Sequence, residues 1–243
     1  MQATIVPRIA WSSGFLATLV GILGTTISPY LFFWQASHEV EHERAQGRRQ
    51  GAIDAKLQAA RTDVLTGMAF SNVVMYVIIL TTAATLHAHG HHAITTAREA
   101  AEALRPLAGN GASLLFTLGL IGTGMLAVPV LAGSAAYAVA EAQAWRGTLD
   151  VHPRLAPGFY GVIAVAMLIG LALDYVGFNA VQMLFWSAVL NGVLAPPLIV
   201  LVVLLTSHPA IMGTRTSPPL LRALGWTTAA IMTAAGIGMF VTL

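Results

Sequence analysis

The stretch Gly21-Ile22-Leu23-Gly24-Thr25-Thr26-Ile27-Ser28-Pro29-Tyr30 interrupts an apolar run that extends from Trp11 to Ala36. A helix that crosses lipid must satisfy its backbone groups internally, so a break at membrane depth occurs only where protein or a cavity covers it. Pro29 predicts such a break, because it has no N–H for the carbonyl of Thr25 and its ring disfavours helical geometry at Ser28.

Polar groups are concentrated around this predicted break. The carbonyl of Thr25 and the hydroxyl groups beside it are candidate cation ligands, since many membrane transporters bind cations with the oxygens of an unwound helix. A simple proline kink, in which the hydroxyls bond within their own helix, is the alternative. The two glycines, two threonines and one serine that precede Pro29 are more polar and more flexible than a kink requires.

The composition predicts a membrane protein. Hydrophobic residues make up 56% and charged residues 9% of the 243 positions, whereas a soluble domain carries roughly a quarter charged residues. The chain has no cysteine, which excludes disulfides, thiolate metal ligands and cysteine nucleophiles. The net charge is only +2 and the basic residues lie in short loops, so we expect a lipid bilayer and no nucleic acid as partner.

Six apolar segments are long enough to cross the hydrocarbon core, which takes about 20 residues per helix. They predict an all-α membrane protein with a discontinuous first helix and a single transmembrane domain over residues 1–243. The polar segment 37–64 is predicted to be a cytoplasmic loop, and we assign no regular structure to it. The predicted spans are 11–36, 68–86, 112–140, 157–173, 181–207 and 224–243.

The basic residues predict the orientation of these spans. Nine of them follow the first, third and fifth spans, and three lie on the other side. Because cytoplasmic loops carry an excess of Lys and Arg, we expect both termini to face outward. The three outer residues are Arg8, Arg98 and Arg105, and the nine inner ones are Arg44, Arg48, Arg49, Lys56, Arg61, Arg146, Arg154, Arg215 and Arg222.

Residues 23–37, Leu-Gly-Thr-Thr-Ile-Ser-Pro-Tyr-Leu-Phe-Phe-Trp-Gln-Ala-Ser, resemble the sixth transmembrane helix of the natural resistance-associated macrophage protein (Nramp) family of divalent metal transporters, in its bacterial Nramp-related branch. In that family an Ala-x-x-Met-Pro-His signature supplies an alanine carbonyl and a methionine thioether to the metal, with the histidine beside the site. Matching on Pro29 places Thr25 at the alanine, Ser28 at the methionine and Tyr30 at the histidine position. The resemblance therefore implies that Thr25 and Ser28 bind metal and that Tyr30 lines the pathway.

The departures from the signature change the expected substrate. A thioether favours transition metals, whereas hydroxyl and carbonyl oxygens suit magnesium, calcium and manganese. Relatives that lack the methionine include magnesium and manganese transporters. Tyr30 replaces a histidine that could titrate near neutral pH, and the fourth span, 157–173, has no charged residue where proton-coupled members have arginines in their ninth helix. The resemblance thus implies a Mg²⁺ or Mn²⁺ transporter without proton coupling.

The resemblance covers nearly the whole chain. The six spans correspond in order to helices six to eleven of the Nramp fold, which is the second half of the leucine-transporter fold with its two inverted repeats. The family's first helix carries an Asp-Pro-Gly-Asn motif whose Asp and Asn complete the metal site, and this motif does not occur here. We therefore expect a fragment, a truncated homologue, or a separate polypeptide that supplies the first five helices, in a bacterial inner membrane.

Two asparagines lie at predicted membrane depth, Asn72 in the second span and Asn191 in the fifth. Side chains of this kind often join helices by hydrogen bonds, and a place in the ion pathway is the alternative for each. The resemblance matches Asn72 to an asparagine of the family's seventh helix and places Asn191 near a glutamine of the tenth without clean alignment. Pro196-Pro197 is predicted to bend the fifth span, either as a gate or as a packing bend.

Two histidine-rich segments are less specific. His38 and His42 share one helix face, which fits either a metal vestibule or a solvated helix end. The histidines of residues 87–92 fit either a flexible outer loop or a weak device that concentrates metal.

These observations together predict transport of a divalent cation by alternating access, with the ion as substrate and no cofactor. The alternative is a membrane protein that does not transport, either an assembly partner or an inactive truncated homologue. We do not expect an enzyme, because the spans contain no buried His or Glu pair and Asp174 lies at a membrane interface.

Overall fold

A computed structural model describes residues 11–46, 53–85, 96–145, 149 and 151–242, and all regular structure among them is helical. We number the helices in chain order, and α7 is a single turn. They are α1 (Ser13–Thr26), α2 (Pro29–Gln46), α3 (Ile53–Thr85), α4 (Ala97–Ala142), α5 (Pro157–Tyr175), α6 (Ala180–Ser207), α7 (Pro209–Met212) and α8 (Pro219–Thr242).

Six segments of the described residues are long and apolar enough to cross a membrane. They confirm the prediction of an all-α membrane protein with six spans. The first segment runs through α1 and much of α2, and each of the other five lies in a single helix. Their bounds are Ser13–Glu41, Leu57–Ala84, Gly111–Ala142, Pro157–Tyr175, Ala180–Ser207 and Pro219–Thr242.

The first span is discontinuous, as the sequence predicted. Ser12 caps the start of α1, and the helix ends at Thr26. Ile27 then has extended backbone angles, φ −118° and ψ 92°, before α2 begins at Pro29. Proline is well suited to the first position of a helix, because its φ is already helical and no N–H is needed there.

The chain divides into two compact units, residues 1–32 with 180–243, and residues 33–179. In the first unit α1 packs against α6 and α8, and α6 packs against α8. The apolar core of this unit consists of Leu16, Ala17, Val20, Val189 and Met239. The end of α1, next to the break, therefore belongs to a packed bundle of three helices.

In the second unit α4 packs against α5. Its core is built around Tyr137 and Phe159, whose rings meet edge to face with centroids 5.0 Å apart. Gly158 of α5 allows Trp145, which follows the end of α4, to pack closely, because a Cβ on Gly158 would lie 2.7 Å from the Trp145 ring. The apolar side chains of α3 are exposed, which suits contact with lipid.

Helices extend beyond the predicted spans at two places. α4 starts at Ala97, well before the predicted span, because Thr96 and Glu99 form a capping box with hydrogen bonds of 3.1 and 3.3 Å. The helix is kinked at Gly109, which has φ 74°. Of the polar segment 37–64, residues 37–46 and 53–64 are helical. The cytoplasmic side of this segment and the single transmembrane domain remain predictions.

Candidate cation site at the break between α1 and α2

The break brings the oxygens of Thr25 and Ser28 together. The hydroxyl of Ser28 donates to the carbonyl of Thr25 and to the carbonyl of Gly24, each at 3.4 Å. Both distances are longer than those of strong O–H···O bonds, so these bonds are weak and readily exchanged. Because Pro29 has no N–H, the carbonyl of Thr25 has no helical donor four residues ahead.

The threonine hydroxyls at the break have partners within the helix. Thr25 and Thr26 each donate to the carbonyl of Ile22, at 2.8 and 2.9 Å. This is the bonding to the backbone of α1 that the sequence left open as an alternative, and the Ser28 hydroxyl bonds back to α1 in the same way, at the longer distance of 3.4 Å. The group of Thr25 that remains for a ligand is its carbonyl oxygen.

Gly24 adds a second carbonyl that sequence reasoning missed. The carbonyl of Leu23 accepts from the N–H of Ile27 at 3.0 Å, which closes the last turn of α1. Ser28 lies outside the helix, so the carbonyl of Gly24 meets its hydroxyl and not its N–H. The break covers two residues, Ile27 and Ser28, so more than one carbonyl loses its helical partner, and Pro29 alone did not predict this length.

The electrostatics at the end of α1 favour a cation. The unpaired carbonyls of a helix C-terminus carry the negative end of the helix dipole. Residues 1–32 and 180–243 contain no Asp or Glu, so this unit supplies partial charges and no carboxylate. Within the part of the chain that the structure describes, no group of three or more His, Asp or Glu side chains is close enough to hold a metal.

Tyr30 and Asn191 belong to the same compact unit as Thr25 and Ser28. Tyr30 follows Pro29 in the first turn of α2 and is half-buried. Asn191 is half-buried in α6, and its side chain makes no hydrogen bond with the described residues. The next residue, Gly192, contacts α1 directly, since a Cβ added to Gly24 would lie 2.9 Å from the Cα of Gly192.

The prolines of α6 lie within a continuous helix, so the predicted bend does not interrupt it. Pro196 has no N–H for the carbonyl of Gly192, the residue four positions earlier. The helix that contacts the end of α1 therefore also carries a carbonyl without its usual donor.

The other sequence candidates lie elsewhere. Asn72 belongs to the second unit, where its amide donates to the carbonyl of Met68 at 2.8 Å within α3. His38 is exposed and its ring stacks on Trp34, with centroids 6.2 Å apart. The side chain of His42 and the whole of residues 87–92 lie outside the described residues.

The six apolar helices, together with backbone and hydroxyl oxygens at a break in the first of them, define a multi-pass membrane protein with a candidate cation site. A family profile described as "Natural resistance-associated macrophage protein-like" matches residues 1–242. The chain belongs to this Nramp family, which confirms the resemblance seen at residues 23–37. Nramp proteins are membrane transporters and not a family of catalytic enzymes.

Relatives with the name divalent metal cation transporter MntH match most of the chain. The chain is 29% identical to the Aeromonas hydrophila protein over 210 residues, which cover 84% of this chain and 47% of the relative. It is 26% identical to the Mesorhizobium japonicum protein over 235 residues, 96% of this chain and 50% of the relative. For the Clostridium acetobutylicum protein the identity is 24% over 229 residues, which cover 94% of this chain and 50% of the relative. The chain spans about half the length of these curated relatives.

Proposed function

We propose that this chain takes part in the transport of a divalent metal cation across a membrane, with Mg²⁺ or Mn²⁺ as substrate and alternating access as mechanism. The observation that carries the proposal is the pair of oxygens at the break, the Thr25 carbonyl and the Ser28 hydroxyl, which lie 3.4 Å apart at the C-terminus of α1. Carbonyls of unwound helices and the C-terminal ends of half-helices are the groups with which transporters hold cations. The matched relatives carry the name of divalent metal cation transporters.

The separation of the two oxygens suits a common metal ion. Adjacent ligands of an octahedral Mg²⁺ ion, at about 2.0–2.1 Å from the metal, are about 3.0 Å from each other. Thr25 and Ser28 therefore need to approach by only a few tenths of an ångström from their 3.4 Å separation. The weak hydroxyl bond between them is exchanged for two metal–oxygen bonds, and the carbonyl of Gly24 offers a third oxygen on the same turn.

The donor types favour a hard cation. Hydroxyl and carbonyl oxygens suit Mg²⁺ and Mn²⁺, and no thioether or thiolate competes at the positions of Thr25 and Ser28. In this proposal Tyr30 and Asn191 line the path beside the ion. Tyr30 lies on α2, which follows the break, and Asn191 lies on α6, which contacts α1 at Gly24. Asn72 is a further pathway residue by resemblance only.

The charge of the ion needs a carboxylate from outside this unit. An uncompensated charge at membrane depth is costly, and residues 1–32 and 180–243 have no acidic side chain. We propose that a first half of five helices, with the Asp-Pro-Gly-Asn motif of the family, completes the site. It is supplied by the same or a separate polypeptide, in a bacterial inner membrane with both ends of the present chain outside.

Proton coupling is not part of the proposal. Tyr30 stands at the position of the family's histidine, the residue type whose charge changes near neutral pH. Residues 157–173, which form most of α5, include no charged residue that would form a proton relay.

Uptake into proteoliposomes tests the proposal. Mg²⁺ and Mn²⁺ are supplied separately to vesicles that contain this chain alone or together with the first half of the Aeromonas hydrophila relative, and a pH dye inside reports proton entry. We expect metal uptake only with the first half present, and no change in internal pH. If neither preparation takes up metal, the chain is a non-transporting assembly partner or an inactive homologue, and the proposal fails.

A further inference from the structure

Two hydroxyl–carboxylate hydrogen bonds connect α2 to α4 within the second unit. The Ser37 hydroxyl donates to Glu141 Oε1 at 2.6 Å, and the Tyr137 hydroxyl donates to Glu41 Oε2 at 3.1 Å. Ser37 and Glu41 are one helical turn apart in α2, as Tyr137 and Glu141 are in α4, so each pair shares one face of its helix. Each helix gives one donor and one carboxylate, and we call these four residues the latch.

Tyr137 is the fixed part of the latch. Only 2% of its surface is exposed, and its ring packs edge to face against Phe159. Its hydroxyl also accepts from the N–H of Leu149 at 3.3 Å. The carbonyl of Leu149 accepts from the Tyr160 hydroxyl at 3.1 Å, which ties this loop to α5. One buried hydroxyl thus connects the loop between α4 and α5 to the carboxylate on α2.

The α2 side of the latch leaves more of its apolar surface exposed. Its large apolar side chains remain 39–48% exposed, apart from Trp34, which packs on Gly133 and Tyr137. Hydrogen bonds to charged groups are exchanged for bonds to water when a helix moves away, so they hold a helix reversibly, unlike a buried apolar face. The exposed side chains are Leu31, Phe32, Phe33 and Val40.

We propose that Tyr137 is a positioning residue for α2. In this proposal the latch holds α2 on α4 in one state of the transport cycle and opens in another. α2 follows the break at Ile27 and Ser28, and its latch residues Ser37 and Glu41 lie in the part of α2 that belongs to the second unit. The role in transport rests on the proposed function, whereas the closing and opening of the latch are measurable without metal.

Spin-label distances test the latch directly. The chain has no cysteine, so Glu39→Cys and Gln143→Cys introduce the only two labelling sites without any other change. Both residues are exposed and neither belongs to the latch. In lipid vesicles we expect a distribution with a short and a long distance. Tyr137→Phe is expected to lower the ratio of the short-distance population to the long-distance population by about tenfold, because it removes one hydrogen bond to a charged acceptor.

Conservative variants separate positioning from folding. Glu41→Gln keeps an oxygen acceptor and should retain most of the short distance, whereas Glu41→Ala should lose it. Tyr76→Phe is the matched control, since Tyr76 is exposed on α3 and its hydroxyl bonds to none of the described residues. The thermal unfolding midpoint is measured for each variant, and Glu41→Ala serves as the test if Tyr137→Phe does not fold.

A distance distribution that folded Tyr137→Phe and Glu41→Ala leave unchanged would overturn the latch. The same distances distinguish the latch from the proposed function. If the distances respond but no metal is taken up, the proposed function fails and the latch stands. If metal is taken up and the distances do not respond, only the latch fails.

Discussion

Gly24 of α1 and Gly192 of α6 meet backbone to backbone: a Cβ added to Gly24 would lie 2.9 Å from the Cα of Gly192 and would overlap the carbonyl oxygen of Ala188. The contact is equally tight from the other side, where a Cβ on Gly192 would lie 2.7 Å from Val20 Cγ1. The turn that presents the Thr25 carbonyl is therefore fixed against the helix that carries Asn191.

Gly24→Ala should destabilise the protein and displace the end of α1. Because the added methyl meets backbone atoms, which cannot rotate away, we expect a loss of about 1–3 kcal/mol, the usual cost of overpacking. Thermal unfolding in detergent measures the change. Gly21→Ala is the control in the same helix, since its Cβ would meet Val189 at an ordinary 3.6 Å. Equal midpoints for the two variants would contradict the close contact.

Phe159→Ala should destabilise the second unit. Phe159 is 0% exposed and packs against the rings of Tyr137 and Tyr160, so truncation leaves a cavity and costs about 3–5 kcal/mol. Leu168→Ala on the same helix is the comparison, because Leu168 is 63% exposed. Its expected effect is within about 0.5 kcal/mol. Unfolding midpoints of the two variants decide the matter, and a similar loss in both would contradict the assigned core.

The predicted orientation is testable with single cysteines. Glu39→Cys lies in the segment expected in the cytoplasm, and Val176→Cys lies in the connection expected outside, where Val176 is 75% exposed. An impermeant thiol reagent added to intact cells should label Val176→Cys only, and should reach Glu39→Cys after the cells are opened. The reverse pattern would show that the excess of Arg and Lys does not set the orientation here.

Much of the fold was readable from single residues. Pro29 predicted the break, because a missing N–H and a restricted φ act locally and need no knowledge of neighbouring helices. Gly177, with φ 90°, lies in the connection between α5 and α6, because a residue without Cβ adopts a positive φ without strain. The extension of α4 to Ala97 was not predicted, although Thr96 and Glu99 have the spacing of a capping box.

Contacts between helices could not be predicted from single residues in this way. The sequence shows that Gly24 and Gly192 are small, but the pairing of α1 with α6 depends on packing across a long separation along the chain. The sequence around His38 and His42, which includes Glu41, fitted a solvated helix end, and only the approach of α2 to α4 gives Glu41 and Glu141 hydroxyl partners. At the candidate site, residue identity predicted the Thr25 carbonyl, whereas the Gly24 carbonyl required the length of the break.

The preference between Mg²⁺ and Mn²⁺ in Ser28→Met is the most direct test of the site. A thioether at this position replaces a hard oxygen by a soft ligand. Uptake by this chain together with the first half of the Aeromonas hydrophila relative should therefore shift toward Mn²⁺, by about tenfold or more in the ratio of the Mn²⁺ rate to the Mg²⁺ rate. Ser71→Met is the control, because Ser71 is an exposed serine of α3 in the second unit. A ratio that changes in Ser28→Met alone supports Thr25 and Ser28 as ligands. The same ratio in Ser28→Met, Ser71→Met and the unchanged chain would contradict this site.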